Sequence, residues 1–292
     1  MTLFAGLEHI VRQDEPLAPY TWLRLGGKAQ FFAEPTSADE LVAIVQRCHK
    51  QGLPVRVLGG GSNLLIRNEG VPGLVVHLSN ANFARIERVG QGLVAGSGAK
   101  LGHLIATAVR EGLAGLEELA AIPGTVGGAL RGNSGAQSGD IGQWVASVTM
   151  LTDEGKIVTR EKSTLRFAHH YSNLDELVIL EAKFVLESGD PAVLTKRMQQ
   201  HWILQKAIQP LSEEYCGRLF KDPVGSTAAQ VIDDAGFKQH RVGEARLSSR
   251  NSNFVLVDPG SPSRDVLALI DEIQKRVQQR LGIDLEPTLE CW

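Results

Sequence analysis

Apolar residues in this chain recur at two spacings, and the switches between them outline a mixed α and β architecture. Ser37-Ala38-Asp39-Glu40, followed by Leu41, Ile44 and Val45 on one face and by Gly52, reads as a helix opened by a capping box. The helical period returns near 99–113, with Leu101, Leu104, Ile105, Ala108 and Val109 on one face, and over a polar-rich stretch at 193–207. Two further helices are predicted, one from Ser226 to Ala235 stopped by Gly236. The other opens on Ser263 as N-cap, with Leu267, Ile270, Ile273 and Val277 on one face and Gly282 at its end. Strands are predicted at Val55–Leu58, Leu74–Leu78, twice within 83–97, at 144–151 and 156–160 around an Asp153-Glu154-Gly155 turn, and from Leu177 to Leu186. Short strands are expected at 218–221 and 253–257. Tyr20–Leu25 and Ala29–Phe32 flank Gly26-Gly27 and are predicted to pair as a hairpin, and the alternating tail Leu285–Trp292 is expected to rejoin a sheet. A boundary is expected at Glu187–Pro191, where strand character stops.

Two glycine clusters interrupt this pattern. In Ile122-Pro123-Gly124-Thr125-Val126-Gly127-Gly128-Ala129, continuing through Gly132 to Asn133-Ser134-Gly135-Ala136, glycines accumulate between apolar segments and almost without charge. Gly59-Gly60-Gly61-Ser62-Asn63 directly follows the strand at 55–58. Glycine is costly to order, so such density implies tight turns or a backbone that comes within hydrogen-bonding distance of a ligand. Successive amides without side chains suit a pyrophosphate. Neither cluster is a G-x-G-x-x-G fingerprint or a P-loop, and two loops of this kind suggest a pair acting together.

Composition narrows the partners. The apolar fraction of 43% and charged fraction of 22% are ordinary for a globular protein, and a net charge of -3 with no basic, aromatic-interleaved patch argues against nucleic acid. No apolar run approaches the length of a membrane span, and the N-terminus does not read as a signal peptide. Three cysteines, Cys48, Cys216 and Cys291, show no metal-ligand spacing, so no metal is expected and a cytoplasmic location is. His77 and His103, nearest the glycine loops, read as structural.

Taken in order along the chain, Thr21 to Gly27, Gly59 to Leu65, Gly115-Leu116-Glu117, Ile122 to Ala129 with Asn133 to Ala136, Phe220-Lys221-Asp222-Pro223, Ala235-Gly236, Ser252-Asn253-Phe254 and Leu285-Glu286-Pro287 resemble the UDP-N-acetylenolpyruvoylglucosamine reductases, also called UDP-N-acetylmuramate dehydrogenases, in their compact subtype. The resemblance implies an α+β, vanillyl-alcohol-oxidase-type fold. FAD would lie between two subdomains, 1–73 with the terminal strand 285–292 and 74–187, and a UDP-sugar domain would span 193–283. It implies that Gly59, Gly60, Gly61, Ser62, Asn63, Pro123, Gly124, Thr125, Gly127, Gly128, Asn133, Gly135 and Ala136 hold the FAD, and that Lys221 and Asp222 meet the substrate. Ser62 stands in the loop near which some relatives in the wider fold tether flavin to a histidine, so the FAD is expected to be non-covalent. NADPH is the implied reductant, UDP-N-acetylglucosamine enolpyruvate the implied substrate, and a monomer the expected state.

The positions that carry the reaction depart from the family. Its Phe-Gly-Tyr-Arg-x-Ser becomes Phe167-Ala168-His169-His170-Tyr171-Ser172, which puts His170 at the arginine. Its Gly-Ser-x-Phe-Lys-Asn-Pro becomes Gly217-Arg218-Leu219-Phe220-Lys221-Asp222-Pro223, so Arg218 replaces the proton-donating serine. Thr288 replaces the last carboxylate of Glu-Pro-Glu, and Ile208 replaces a lysine before Gln209-Pro210. Two readings follow: a reductase in which Arg218 and His170 exchange roles, with Cys216 and Glu286 as further compensators, or an impaired paralogue that binds FAD and UDP-sugar without turnover.

Overall fold

The computed structural model describes residues 3–136, 139–210 and 215–292. Its helices are α1 (Ala38–Lys50), α2 (Leu101–Arg110), α3 (Val126–Arg131), α4 (Pro191–Ile208), α5 (Ala228–Asp234) and α6 (Ser263–Leu281). The chain divides into two units.

Unit 1 comprises Met1–Gln13, Phe31–Gly60 and Pro72–Gln205 and holds two cores. In the first, Leu41, Ile44, Val45 and Cys48 of α1 pack with Ala33, Leu74 and Val76 from a four-stranded sheet. That sheet runs in the order Val11–Pro16, Lys28–Ala33, Val71–His77, Val55–Leu58, and its last pair is parallel, with Leu58 opposite His77. The second core lies between α2, α3 and a five-stranded antiparallel sheet. Its strands are ordered Ile157–Glu161, Val145–Leu151, Val178–Val185, Gly92–Gly96, Ile86–Arg88. Ser37 caps α1 as expected, its hydroxyl accepting from the Glu40 amide at 3.3 Å. The reciprocal half of the box is displaced by one residue, because the Glu40 carboxylate accepts from the amide and hydroxyl of Thr36 at 2.7 and 2.8 Å.

Unit 2 comprises Asp14–Gln30, Gly61–Val71 and Lys206–Trp292. Its antiparallel sheet, in the order Cys216–Arg218, Phe254–Leu256, Ala245–Leu247, Arg241–Val242, shares one core with α5 and α6. The tail joins in two places. Phe220 bridges Pro287, and Glu290–Cys291 runs parallel to Leu64–Leu65.

Two sequence expectations fail here for identifiable reasons. Tyr20–Leu25 is not a hairpin strand. A 3-10 turn occupies Ala18–Tyr20, and the Thr21 hydroxyl closes the next turn by donating to the carbonyls of Ala18 and Leu25 at 3.2 and 3.4 Å. Gly27 meanwhile donates its amide to Arg67 and accepts from Leu17, so the glycine pair links three segments rather than closing two strands. Ser263 is not an N-cap but the first residue of α6. Its amide and hydroxyl donate to Asn68 Oδ1 at 2.7 and 2.6 Å, so a side chain 195 residues away supplies the cap.

Candidate active site

In unit 1 the two glycine loops meet. A Cβ on Gly60 would lie 2.7 Å from Gly124 Cα, and one on Gly59 would lie 2.8 Å from Thr125 Oγ1. Gly124 has φ +110°, a conformation that side-chain-bearing residues rarely adopt. Among the described residues, the amides of Gly59, Gly60, Gly124 and Thr125 donate to no protein acceptor. Backbone edges with idle donors and no intervening side chains suit the oxygens of a pyrophosphate. The residues present therefore fit an FAD.

A third segment, Gly96 to Lys100, lines the second glycine loop and was not singled out from sequence. Gly127 donates to the Ser97 carbonyl at 2.8 Å, Val126 to Ala99 at 2.8 Å, and Leu101 to Gly124 at 3.1 Å. The signal available was a Gly96-Ser97-Gly98 triplet after a strand. It is easily passed over beside the denser clusters.

Downstream, the Asn133 side chain is engaged within the protein. It is 1% exposed, its Nδ2 donates to the Ala168 carbonyl at 2.7 Å, and its Oδ1 accepts from the Gly142 amide at 3.1 Å. Its side-chain amide is thus spent inside the protein, holding the small hairpin Phe167–Ala168/Tyr171–Ser172. Arg131 grips the exit of the same hairpin, donating to the carbonyls of Leu174, Glu176 and Leu177, while its own carbonyl accepts from Ser172 Oγ. His170 occupies the hairpin turn with φ +51°, its ring centroid 4.2 Å from that of His169. Gly135 and Ala136 form a short strand paired with Gly139–Asp140.

In unit 2 the motif segments 218–222 and 286–288 meet along one antiparallel crossing. Lys221 donates its amide to the Glu286 carbonyl at 2.9 Å, and Thr288 donates to the Leu219 carbonyl at 2.7 Å. The Lys221 ammonium pairs with the Glu286 carboxylate, so Glu286 is already engaged. Of the tail Leu285–Trp292, expected to rejoin a sheet, the regular strand is confined to Glu290–Cys291. Thr288 Oγ1 is buried without a partner among the described residues. Asn63 turns away from a purely flavin role: its Nδ2 donates to the Thr288 carbonyl at 2.6 Å, and its carbonyl accepts from the Glu290 amide at 3.0 Å. Arg218 Nη2 donates to Asp222 Oδ2 at 2.7 Å, and Cys216 is buried two residues before it. Asn253, 3% exposed, copies a strand partner, accepting from the Phe220 amide and donating to its carbonyl at 2.9 and 2.8 Å.

Residues 29–160, which contain both glycine loops, match the FAD binding domain family, and residues 209–292 match the C-terminal domain of UDP-N-acetylenolpyruvoylglucosamine reductase. The UDP-N-acetylenolpyruvoylglucosamine reductase of Rhodopirellula baltica is 38% identical over 98% of this chain and 94% of its own length. The chain belongs to the UDP-N-acetylenolpyruvoylglucosamine reductase family. A reductase of this name from Listeria innocua is 36% identical over 97% of this chain and 96% of its own. The crystal structure of the reductase from Thermus caldophilus superposes with a TM-score of 0.80 at 31% identity, covering 97% of this chain and 98% of that one. The FAD-binding domain and the α+β fold of the family are thus those the sequence implied. Among the described residues no helix is long and apolar enough to cross a membrane, and no cluster of three or more His, Cys, Asp or Glu side chains is arranged to hold a metal ion.

Proposed function

We propose that this protein is an FAD-dependent oxidoreductase that uses NADPH to reduce UDP-N-acetylglucosamine enolpyruvate to UDP-N-acetylmuramate. The reaction belongs to peptidoglycan precursor synthesis, and so to cell-wall growth, cell shape and division. The protein acts as a cytoplasmic monomer. The observation that carries this reading is the apposition of Gly59–Gly60 and Gly124–Thr125, with their amides unclaimed, inside a segment that matches the FAD-binding domain.

In this reading Gly59, Gly60, Gly61, Ser62, Pro123, Gly124, Thr125, Gly127, Gly128, Gly135 and Ala136 lie along the FAD, while Asn63 and Asn133 hold neighbouring segments in place. Bound FAD supplies the hydride relay between NADPH and the enolpyruvyl group. The chain's own task is to stabilise the negative charge that develops beside the substrate carboxylate and to deliver a proton. Arg218 is the cation of the second unit for the first task, and His170 carries an acid for the second. Lys221 and Asp222 stand beside Arg218 for the UDP-sugar.

A second reading, an impaired paralogue that binds FAD and UDP-sugar, is favoured by Thr288. Its hydroxyl replaces a carboxylate and is buried without a partner among the described residues, and the nearby Glu286 is paired with Lys221. One assay separates the two. The FAD-loaded protein is mixed with NADPH and the enolpyruvyl nucleotide, and NADPH oxidation is followed at 340 nm. Substrate-dependent turnover that Arg218→Ala abolishes supports the reductase. Turnover no faster than buffer, with flavin bound, leaves the paralogue.

A further inference from the structure

Two departures from the family motif, Arg218 and Asp222, face one another. The motif has serine and asparagine at these places, both uncharged. Arg218 ends the strand Cys216–Arg218 opposite Phe254, and its Nη2 lies 2.7 Å from Asp222 Oδ2. The other carboxylate oxygen, Asp222 Oδ1, accepts from the amide of Ala228, the first residue of α5, at 2.8 Å. The start of α5 therefore anchors the carboxylate, and the carboxylate in turn orients the guanidinium.

A guanidinium presents five N–H donors in one plane. Among the described residues, only Nη2 of Arg218 is engaged, and the side chain is 35% exposed. The remaining edge is a planar donor fork held in a fixed direction. The neighbouring cation is in a different state, since the Lys221 ammonium is tied to Glu286. Exchanging two neutral residues for this ion pair leaves the net charge unchanged, but it converts a neutral spot into an oriented cation.

We propose that Arg218, held by Asp222, is a recognition fork for an anionic group of the nucleotide-sugar ligand. The proposal rests on the UDP-sugar reading above. Such a ligand offers two anionic sources, its diphosphate and the carboxylate of its lactyl or enolpyruvyl group. Either accepts the paired, charge-assisted bonds that an arginine edge provides and a lysine does not.

The test is calorimetric titration of the FAD-loaded protein with UDP-N-acetylglucosamine and with UDP-N-acetylmuramate, which differ by the carboxylate-bearing group. Arg218→Ala is expected to weaken at least one nucleotide by about tenfold or more, the range of a charge-assisted hydrogen bond. A loss confined to UDP-N-acetylmuramate assigns the fork to the carboxylate, and an equal loss for both assigns it to the diphosphate. Arg218→Lys is expected not to restore binding. Asp222→Asn keeps an oxygen for the Ala228 amide, so α5 stays capped. It is expected to cost about threefold in affinity in the wild-type background and nothing further in Arg218→Ala. Arg218→Ala or Arg218→Lys binding both nucleotides like the wild type, at an unchanged Tm, overturns the fork, and Asp222→Asn binding like the wild type overturns its positioning by Asp222. A wild-type protein that holds FAD but binds neither nucleotide overturns the UDP-sugar reading and the fork together.

Discussion

Gly60 approaches Gly124 so closely that a methyl group on Gly60 would stand 2.7 Å from the Gly124 Cα. The obstacle is backbone, not the end of a flexible side chain. Relief therefore requires that one loop move. Gly60→Ala is expected to cost about 1–3 kcal/mol, the usual penalty of overpacking, and to reduce the flavin retained on purification. The ratio of absorbance at 450 nm to that at 280 nm reads this directly. A variant as yellow and as stable as the parent would show that the loops have room to part.

The Asn133 side chain brackets the hairpin 167–172 against Gly142. Asn133→Ala leaves the buried Gly142 amide without its partner and releases the carbonyl of Ala168, an exposed residue. The expected cost is roughly 1–3 kcal/mol from the one buried unpaired group, measured by urea denaturation. Hydrogen exchange should accelerate in residues 167–172. Exchange left unchanged there would count against the bracket.

Glu34 gathers three donors: Ser79 Oγ at 2.8 Å, His77 Nδ1 at 3.1 Å and Arg12 Nη2 at 2.7 Å. Partial burial pushes its carboxyl upward, but the bonds from Ser79, His77 and Arg12 outweigh that and hold it below the ordinary 4.5. Because the folded value is depressed, the stabilisation is whole above the ordinary glutamate range and is lost as the pH falls through the lower folded value. Glu34→Gln should therefore be less stable than the parent at pH 7, by about 0.5–1 kcal/mol given a partly exposed site. The gap should close in acid. A gap that persists unchanged at pH 3 would refute the ionic origin.

The three thiols should differ in reactivity. Burial pushes the Cys48 thiol up to about 11, Cys216 is also buried, and Cys291 is half-buried. Since the thiolate is the reacting form, titration of the native protein with Ellman's reagent at pH 8 should show one fast thiol, absent from Cys291→Ser. Two fast thiols would contradict this assignment of burial.

Much of the site was legible because its signal is local. Glycine density, a strand ending in Gly59 and the order of short motifs are properties of neighbouring residues. Turns and backbone approach demand them wherever the rest of the chain goes. Helices α1, α2, α5 and α6 were legible for the same reason, since each buries a face whose spacing is written in a dozen or so residues. What failed was non-local. The hairpin at 20–32 was lost to the bonds that Gly27 makes, accepting from Leu17 and donating to Arg67, and the cap of α6 comes from Asn68. The side-chain partners of Asn133 and Asn63 were equally out of reach of the motif, since both amides donate to carbonyls far along the chain.

By itself, the sequence determined that this protein carries an FAD-binding scaffold and that residues 170, 218 and 288 depart from the motifs it resembles, because residue identity and spacing carry both. Only the tertiary structure decided what the side chains at those places touch. Whether Arg218 is idle or held, and whether Glu286 is spare or spent, depends on which oppositely charged group lies within hydrogen-bonding reach. For Lys221 and Glu286 the crossing of residues 219–221 with 286–288 sets that distance, and for Arg218 and Asp222, four residues apart, it is set where the Ala228 amide at the start of α5 holds the carboxylate.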